Sequence, residues 1–176
     1  MRFSETKVKG AFLIDFEHRT DHRGFFARSW CANEFAANGL NPRVAQINVC
    51  YTAQKAGLRG LHYQLPPHEE VKTVRCTQGS IFDVVVDLRP ASPTFKKWDG
   101  HELTAANHRM LYVPEGCAHG CLSLTDAAEI EYLTSAFYAP ESARGVRFND
   151  PAFGITWPLP VGSLSDSDRT WPDFKE

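Results

Sequence analysis

The sequence predicts an all-β fold, either a β-sandwich or a jelly-roll barrel, and three observations favour this class. Strand-like runs are short, and Gly, Pro and Asn residues separate them at frequent intervals. The run SIFDVVVDLR places Phe82, Val84 and Val86 on one face of a strand, since side chains alternate between two faces. One stretch alone has a helical pattern, whereas a parallel sheet would need crossover helices between its strands.

The predicted elements follow one another along the whole chain. A helix is predicted over 31–39, CANEFAANG, and ends at Gly39, a residue type favoured directly after a helix. No internal repeat or low-complexity linker divides the sequence, so residues 1–176 are expected to form a single domain with one hydrophobic core. The predicted strands are 11–16, 25–30, 44–52, 58–64, 71–76, 80–89, 109–114, 119–124 and 128–138.

The composition is that of an ordinary globular protein. Hydrophobic residues make up 43% of the chain and charged residues 23%, and the formal net charge is -2. This charge gives no reason to expect nucleic acid or an anionic membrane as a partner. The first ten residues, MRFSETKVKG, lack the apolar core of a signal peptide, and no apolar run reaches membrane-spanning length. The sequence therefore predicts a cytoplasmic protein.

The cysteines favour free thiols over a disulfide framework, because their number is odd and they lack CxxC spacing. Cys117 and Cys121 flank His119 and could be metal ligands, but their spacing matches no zinc pattern. Small buried residues of a strand are the favoured interpretation of this pair. The five cysteines are Cys31, Cys50, Cys76, Cys117 and Cys121.

Period two also gathers polar side chains on single faces of several strands. Such faces either line a partly polar barrel interior, where a binding site would satisfy them, or point at solvent. The alternation leaves both interpretations open. In LRGLHYQ one face carries Gly60, His62 and Gln64, and the other carries Arg59, Leu61 and Tyr63. In two further strands the polar faces carry Gln46, Asn48 and Cys50, and Ile130, Tyr132, Thr134, Ala136 and Tyr138.

The segment RGLHYQLPPHEEVK raises the question of a metal site. A metal-binding jelly roll would use two histidines one residue apart, an acid downstream and a later histidine. His62 and His119 fit this pattern, and Glu69 or Glu70 could supply the acid. Gln64 stands where the second histidine would lie, and an amide is a poor ligand for a transition metal. The segment therefore predicts a catalytic base and no bound metal.

Several motifs, in order and spacing, resemble the dTDP-4-dehydrorhamnose 3,5-epimerase family of nucleotide-sugar enzymes over nearly the whole chain. The most specific are RGLHYQ followed by a lysine, AHG, and a Tyr-x-x-Ser/Thr-x-x-Tyr pattern. The matching segments are DHRGFF (21–26), QINVCYT (46–52), GLRGLHYQLPPHEEVKTVRC (57–76), GSIFDVVVDLRPASPTF (79–95), PEGCAHG (114–120), EYLTSAFYAPE (131–141), RFNDPAFGITWP (147–158) and SLSDSDR (163–169).

This resemblance implies a double-stranded β-helix (jelly-roll or cupin) barrel with short peripheral helices, a homodimer, and a reaction without metal or cofactor. The implied substrate is a nucleoside-diphosphate 4-keto-6-deoxy sugar, whose ketone acidifies the hydrogens at C3 and C5. The implied reaction removes one of these protons and returns a proton to the opposite face. The type reaction converts dTDP-4-dehydro-6-deoxyglucose to dTDP-4-dehydrorhamnose.

The resemblance also implies catalytic roles. His62 matches the base, and imidazole titrates near neutral pH. Asp168 matches the carboxylate that orients it, with Asp166 as a nearby rival. Tyr132 matches the acid on the opposite face, and Lys72 matches the cation that stabilises the enolate oxygen.

The implied substrate contacts lie on several segments. Arg59 and His119 match residues that hold the pyrophosphate and sugar, and an arginine fork suits phosphate. Arg23 and Phe26 match nucleotide-binding positions, which in the family reach across the dimer to the partner's site. The remaining expected substrate contacts are Gln46, Asn48 and Tyr138.

Three residues depart from the family pattern. Arg28 stands where a glutamate is usual, Ile47 replaces the middle aspartate of a Gln-Asp-Asn triplet, and Cys50 stands where serine is common. Because Arg28 reverses a charge in the nucleotide-binding segment, a CDP- or GDP-linked sugar is an alternative substrate. Epimerisation at one carbon alone is a further alternative. The competing classes are a metal-dependent cupin oxidoreductase and a non-catalytic sugar-binding jelly roll.

Overall fold

Strands dominate the computed structural model, which describes residues 1–175 and contains thirteen strands and two short helices in that range. One sheet contains, in spatial order, β1 (Arg2–Glu5), β2 (Phe12–Asp15), β10 (Met110–Val113), β7 (Lys72–Gln78), β12 (Ala128–Thr134) and β5 (Gln46–Thr52). The second contains β13 (Ala143–Gly145), β6 (Leu58–Gln64), β11 (Cys117–Ser123), β8 (Ser80–Asp87) and β9 (Trp98–Thr104). The remaining elements are the hairpin of β3 (Arg19–Asp21) and β4 (Gly24–Phe26), and the helices α1 (Ala32–Ala37) and α2 (Asp166–Thr170).

Strands that are distant in sequence lie side by side, as a jelly roll requires. Strand β7 lies between β10 and β12, β11 lies between β6 and β8, and these neighbours are antiparallel. The all-β double-stranded β-helix, or jelly-roll barrel, with short peripheral helices is thus confirmed. Neither helix in residues 1–175 is long and apolar enough to cross a membrane.

Two predicted strands extend too far. The prediction over 25–30 is wrong beyond Phe26, where β4 ends, and the predicted strand 128–138 ends at Thr134. There the Thr134 hydroxyl donates to the carbonyl of Ala136 at 3.0 Å. Such a local side-chain bond gives the backbone an alternative to the strand ladder, which accounts for the early end.

Other elements were shorter than predicted or were missed. Helix α1 lies within the predicted 31–39, and Gly39 follows it with a φ of +72°, the left-handed conformation expected after a helix. Strands β1, β3, β9 and β13 and helix α2 were not predicted. The sequence of β9, WDGHELT, lacks apolar alternation because Gly100 makes room for a neighbour. A Cβ at Gly100 would lie 2.3 Å from the ring of Phe82.

The inner surface of the barrel changes from apolar to polar along its strands. On β12 the inward residues change from Ala128 and Ile130 to Tyr132 and Thr134. The apolar end belongs to the main core cluster, which includes Val74, Val85, Leu103, Leu111 and Val113. Burial of this cluster, at roughly 25 cal/mol per Å² of apolar surface, stabilises the barrel and leaves its other end free for polar groups.

A β-bulge in β6 turns Arg59 and His62 to the same side. In the pairing with β11, His62 lies opposite His119 but Arg59 lies opposite Cys121, so the two residues between them on β6 match only one residue of β11. The prediction that Arg59 faces away from His62 is therefore wrong. Gly60 permits the bulge with a φ of +128°, and a Cβ there would lie 2.5 Å from the Cα of Gly120.

Candidate active site

A cavity of about 1050 Å³ lies between the two sheets, large enough for a ligand of nucleotide-sugar size. The polar strand faces therefore line a barrel interior, which decides the question that alternation alone left open. The five-stranded sheet contributes Arg59, His62, Gln64 and His119 to the cavity wall. The six-stranded sheet contributes Gln46, Asn48, Lys72 and Tyr132.

His62 is paired with a carboxylate from the C-terminal helix. Its Nε2 lies 2.6 Å from Asp168 Oδ1, and the Asp168 side chain is 5% exposed while that of His62 is 46% exposed. The second oxygen, Oδ2, accepts from the backbone N–H of Gly60 at 3.3 Å. Ser165 caps the N-terminus of helix α2, and its hydroxyl accepts from the Asp168 N–H at 3.1 Å. This cap holds Asp168 in the first turn of the helix, next to His62.

The charge state of Asp168 fixes the orientation of the imidazole. Burial alone would raise the pKa of this carboxyl, but the hydrogen bond from His62 and its charge lower the pKa below its usual value. An ionised carboxylate accepts, so Nε2 of His62 donates, and in the neutral imidazole Nδ1 then carries the lone pair. Among residues 1–175 that Nδ1 has no hydrogen-bond partner. Asp166, the rival candidate, forms no hydrogen bond or ion pair with His62 in the described residues and lies exposed on the same helix.

His119 is paired in a similar way but much deeper. Its Nε2 lies 2.8 Å from Asp83 Oδ1, and the side-chain exposures are 10% for His119 and 0% for Asp83. The other oxygen, Asp83 Oδ2, is buried with no hydrogen-bond partner among the described residues. Asp83 was not predicted as a site residue. A carboxylate within the apolar run IFDVVVD was the signal, because a buried charge needs a partner.

Lys72 extends into the cavity from the start of β7. Its Nζ lies 3.0 Å from Glu70 Oε1 and donates to the backbone carbonyl of His62 at 3.3 Å. The side chains of Lys72 and Glu70 are 11% and 10% exposed. An ammonium held this close to the histidine strand can stabilise negative charge that develops on a ligand oxygen.

Tyr132 lies on the wall opposite His62, since β12 belongs to the six-stranded sheet and β6 to the five-stranded sheet. The ring packs against the main apolar core while the residue also lines the cavity. Burial raises the pKa of Tyr132 above its usual value, and the neighbouring Cys50 and Glu70 add to this effect. The phenol therefore stays protonated at neutral pH and can donate a proton.

Arg59 carries a charge that no carboxylate in the described part of the chain neutralises. Its Nε donates to Thr52 Oγ1 at 3.1 Å and its Nη2 to the carbonyl of Tyr51 at 2.9 Å. Both acceptors are neutral and belong to β5. They hold the guanidinium at the cavity while leaving its full charge available to an anionic ligand.

Three polar residues of the cavity lining, Gln46, Gln64 and Tyr138, belong to one hydrogen-bonded region. Tyr138 is 66% exposed, and its backbone N–H donates to Gln46 Oε1 at 2.9 Å. Gln64 is buried and donates to the carbonyls of His68 (2.7 Å) and Phe137 (3.2 Å). Its Oε1 accepts from the backbone N–H of Ala139 at 2.7 Å. Its amide thus fixes the backbone next to Tyr138, a structural role for the residue that stands in place of a second histidine.

Two predicted nucleotide contacts lie away from this cavity. Arg23 and Phe26 belong to the β3–β4 hairpin, and Phe26 is 66% exposed. Arg23 pairs with Asp21 at 2.6 Å on the surface. Arg28 pairs with Glu34 of α1 at 2.7 Å, so its positive charge is held by its own chain.

The five cysteines are free thiols. Burial raises the pKa of Cys117 to about 12 and that of Cys121 well above its usual value, so both stay protonated. No group of three or more His, Cys, Asp or Glu that could hold a metal ion occurs in residues 1–175. Cavity residues that the sequence reasoning did not assign to a site include Leu58, Tyr63, Arg144 and Trp171.

The fold and the cavity define an enzyme of the jelly-roll class, with titratable side chains facing each other between its two sheets. A histidine–aspartate pair occupies one wall and a protonated tyrosine the other. Residues 5–176 match the family model described as dTDP-4-dehydrorhamnose 3,5-epimerase, and the chain belongs to that family.

Named relatives are similar over almost their full length. The dTDP-4-dehydrorhamnose 3,5-epimerase of Shigella flexneri is 41% identical over 175 residues, which cover 99% of this chain and 96% of the relative. The crystal structure of the Bacillus anthracis enzyme of that name, with TDP and PPi bound, has a TM-score of 0.94 and 39% identity, and covers 98% of this chain and 99% of its own. The Legionella pneumophila dTDP-6-deoxy-D-glucose-3,5-epimerase, in complex with dTDP-4-keto-L-rhamnose, has a TM-score of 0.88, 32% identity and 99% coverage of both chains.

Proposed function

We propose that the protein epimerises C3, C5 or both of a nucleoside-diphosphate 4-keto-6-deoxy sugar without a cofactor. The observation that carries this function is the placement of a base and an acid on opposite walls of one cavity, His62 on β6 and Tyr132 on β12. Inversion at a carbon requires loss of a proton from one face and gain of a proton on the other. Two groups on facing sheets meet that requirement.

The first step is proton abstraction next to the ketone. Nδ1 of His62 takes the proton from the carbon, the C–H electron pair forms the C=C bond of an enolate, and the carbonyl electrons move to the oxygen. Asp168 stabilises the imidazolium that results, because its ionised carboxylate already accepts from Nε2. Lys72 stabilises the enolate oxygen by charge.

The second step returns a proton to the opposite face. The Tyr132 hydroxyl donates it to the carbon while the enolate electrons reform the ketone. The raised pKa of Tyr132 supports this role, since a phenol that resists ionisation is available as an acid. Solvent then restores the proton of the phenolate, and His62 releases its own proton to solvent.

The substrate is proposed to be dTDP-linked. The solved relatives bind TDP with PPi and dTDP-4-keto-L-rhamnose, and the chain shares their fold over almost its whole length. Arg59 is suited to the diphosphate because its charge is not neutralised within the chain. Arg28 is the reason to test CDP- and GDP-linked sugars as well, although its positive charge is already paired with Glu34.

A homodimer completes the proposal. Ile47, Val49 and Tyr51 are 60%, 64% and 52% exposed on the outer face of β5, an apolar strip that a second copy could cover. Arg23 and Phe26 would then contact the nucleotide in the partner's cavity. The free thiols support the cytoplasm as the location of this enzyme.

The dimer is tested by mixing two inactive variants, Arg23→Ala and His62→Ala. If the hairpin serves the partner's cavity, mixed dimers contain one intact site and regain about a quarter of the wild-type activity by random pairing. A hairpin that serves its own cavity gives mixed dimers no more activity than the separate variants.

The reaction is tested by deuterium incorporation from D₂O into dTDP-, CDP- and GDP-linked 4-keto-6-deoxy sugars, followed by NMR at C3 and C5. Exchange with inversion at both carbons of the dTDP sugar establishes the double epimerase, and exchange at one carbon a single-centre epimerase. Exchange with another nucleotide alone assigns the altered specificity to the nucleotide-binding segment. The absence of exchange in all three sugars would contradict the proposed function.

A further inference from the structure

The basic side chains of the cavity differ in whether a carboxylate pairs with them. Three of the five have a dedicated carboxylate, while Arg59 and Arg144 donate to neutral acceptors alone within residues 1–175. Two of the three pairs are histidine–aspartate pairs, and the third is a lysine–glutamate pair. The glutamate of this third pair has no role in the proposed reaction steps. The three pairs are His62–Asp168, His119–Asp83 and Lys72–Glu70.

Glu70 is built into the cavity wall by the backbone. Residues 70 and 72 share one side of an extended chain, so both side chains enter the cavity. Val71, between them, forms two hydrogen bonds with Ser135, the residue directly after β12. Its N–H donates to Ser135 Oγ at 2.8 Å, and its carbonyl accepts from the Ser135 N–H at 3.1 Å.

We infer that Glu70 is a positioning residue for the ammonium of Lys72 during epimerisation. This inference rests on the proposed function. A lysine side chain has four rotatable bonds, and an ammonium that only attracts charge could adopt many positions. The Glu70 carboxylate at 3.0 Å and the His62 carbonyl at 3.3 Å hold Nζ from two sides, next to the strand that carries the base.

The pair also suits the charge changes of the reaction. An unpaired carboxylate in the cavity would repel an enolate, and the ammonium of Lys72 lies close enough to Glu70 to offset that repulsion. Glu70 additionally contributes, after burial and Cys50, to the raised pKa of Tyr132, which keeps the phenol protonated. One side chain thus orients the group that stabilises the enolate and helps to keep the acid in its donating form.

The test is a double-mutant cycle in kcat and KM with the wild-type substrate. Glu70→Ala should lower kcat about 30-fold, and Glu70→Gln about threefold, because the amide oxygen still accepts from Nζ. KM should change by less than about threefold, since the interaction matters most when the enolate forms. In a Lys72→Met background, Glu70→Gln should cause no further loss of kcat, because the group that it positions is absent.

The matched control is Glu131→Gln. Glu131 also pairs with a cation of β7, Arg75 at 2.9 Å, and its removal changes the net charge equally, but it does not line the cavity. This variant should keep the wild-type kcat. A threefold or larger loss from Glu70→Gln that persists in the Lys72→Met background would overturn the inference and make Glu70 a direct substrate contact. Wild-type protein that shows no exchange would instead contradict the proposed function itself.

Discussion

His62 and His119 lie opposite each other on the paired strands β6 and β11, and each binds an aspartate through Nε2. The two distances, 2.6 Å and 2.8 Å, are nearly equal. Their surroundings differ, because the side chain of His62 is 46% exposed to the cavity and that of His119 is 10% exposed. The same chemical pair therefore occurs once with an accessible imidazole and once in a buried form.

In the proposed mechanism it is access to the cavity, more than hydrogen bonding, that separates the base His62 from His119. Asp168 comes from the C-terminal helix, 106 residues from His62, and leaves the ring open to a ligand. Asp83 comes from the neighbouring strand β8 and is completely buried. We expect the first pair to control the rate of proton abstraction and the second to control stability and substrate position.

The largest effect is expected from Asp168→Asn, which breaks the accessible pair. An amide cannot stabilise the imidazolium and can favour the wrong tautomer, so kcat should fall by about 10³-fold. Steady-state kinetics measures this loss. Asp166→Asn is the matched control on the same helix and should keep full activity, and an equal loss in that variant would contradict the assignment.

The second largest effect is expected at Tyr132, on the six-stranded sheet opposite the two histidines. Tyr132→Phe removes the proposed acid but leaves His62 intact, so epimerisation should fall by about 10²-fold. Proton abstraction should continue, and deuterium should enter the starting sugar without inversion. NMR of the recovered sugar distinguishes the two outcomes. Equal loss of exchange and inversion would assign the tyrosine to the first step.

Asp83→Asn should act mainly on stability. The new amide places buried N–H donors where the unpaired Oδ2 lies, so the free energy of unfolding should fall by about 2 kcal/mol. Urea denaturation measures the change, with kcat expected to stay within about tenfold of the wild type. A loss of kcat as large as that of Asp168→Asn, without a loss of stability, would remove the distinction between the two pairs.

The smallest effect is the response of stability to acid. The pKa of Asp168 is lowered in the folded protein, so its contribution is present above the unfolded pKa of about 3.9 and is lost as pH falls through the lower folded pKa. Between pH 5 and pH 3 the wild type should therefore lose more stability than Asp168→Asn, by about 1 kcal/mol or less. Urea midpoints at the two pH values measure this difference, and equal losses would contradict the lowered pKa.

Much of the site followed from alternation, because regular strands repeat every two residues. Gln46 and Asn48 share one face of β5, as alternation predicts, and the structure shows that this face and Tyr132 of β12 line the cavity. Arg59 did not follow, since a bulge at Gly60 changes the face and depends on a contact with β11 that the local sequence does not encode.

Pairings between distant segments were also beyond local patterns. The choice between Asp166 and Asp168 depends on how helix α2 packs on β6, and the Asp83–His119 pair depends on the register of β8 and β11. The resemblance to the family supplied the expected partner of His62 but not that of His119. Strand β9 was missed because Gly100 interrupts its pattern of apolar residues. The reason for this glycine is the close approach of the Phe82 ring, which the neighbouring sequence does not reveal.

The most direct test of the central claim compares deuterium exchange at C3 and C5 in His62→Asn and His119→Asn with the dTDP-linked 4-keto-6-deoxy sugar. His62→Asn should lose exchange at both carbons by about 10³-fold or more, because the base is absent. His119→Asn should retain exchange within about tenfold of the wild type while KM rises. Retained exchange in His62→Asn, with exchange abolished in His119→Asn, would contradict the account and make the buried pair the base.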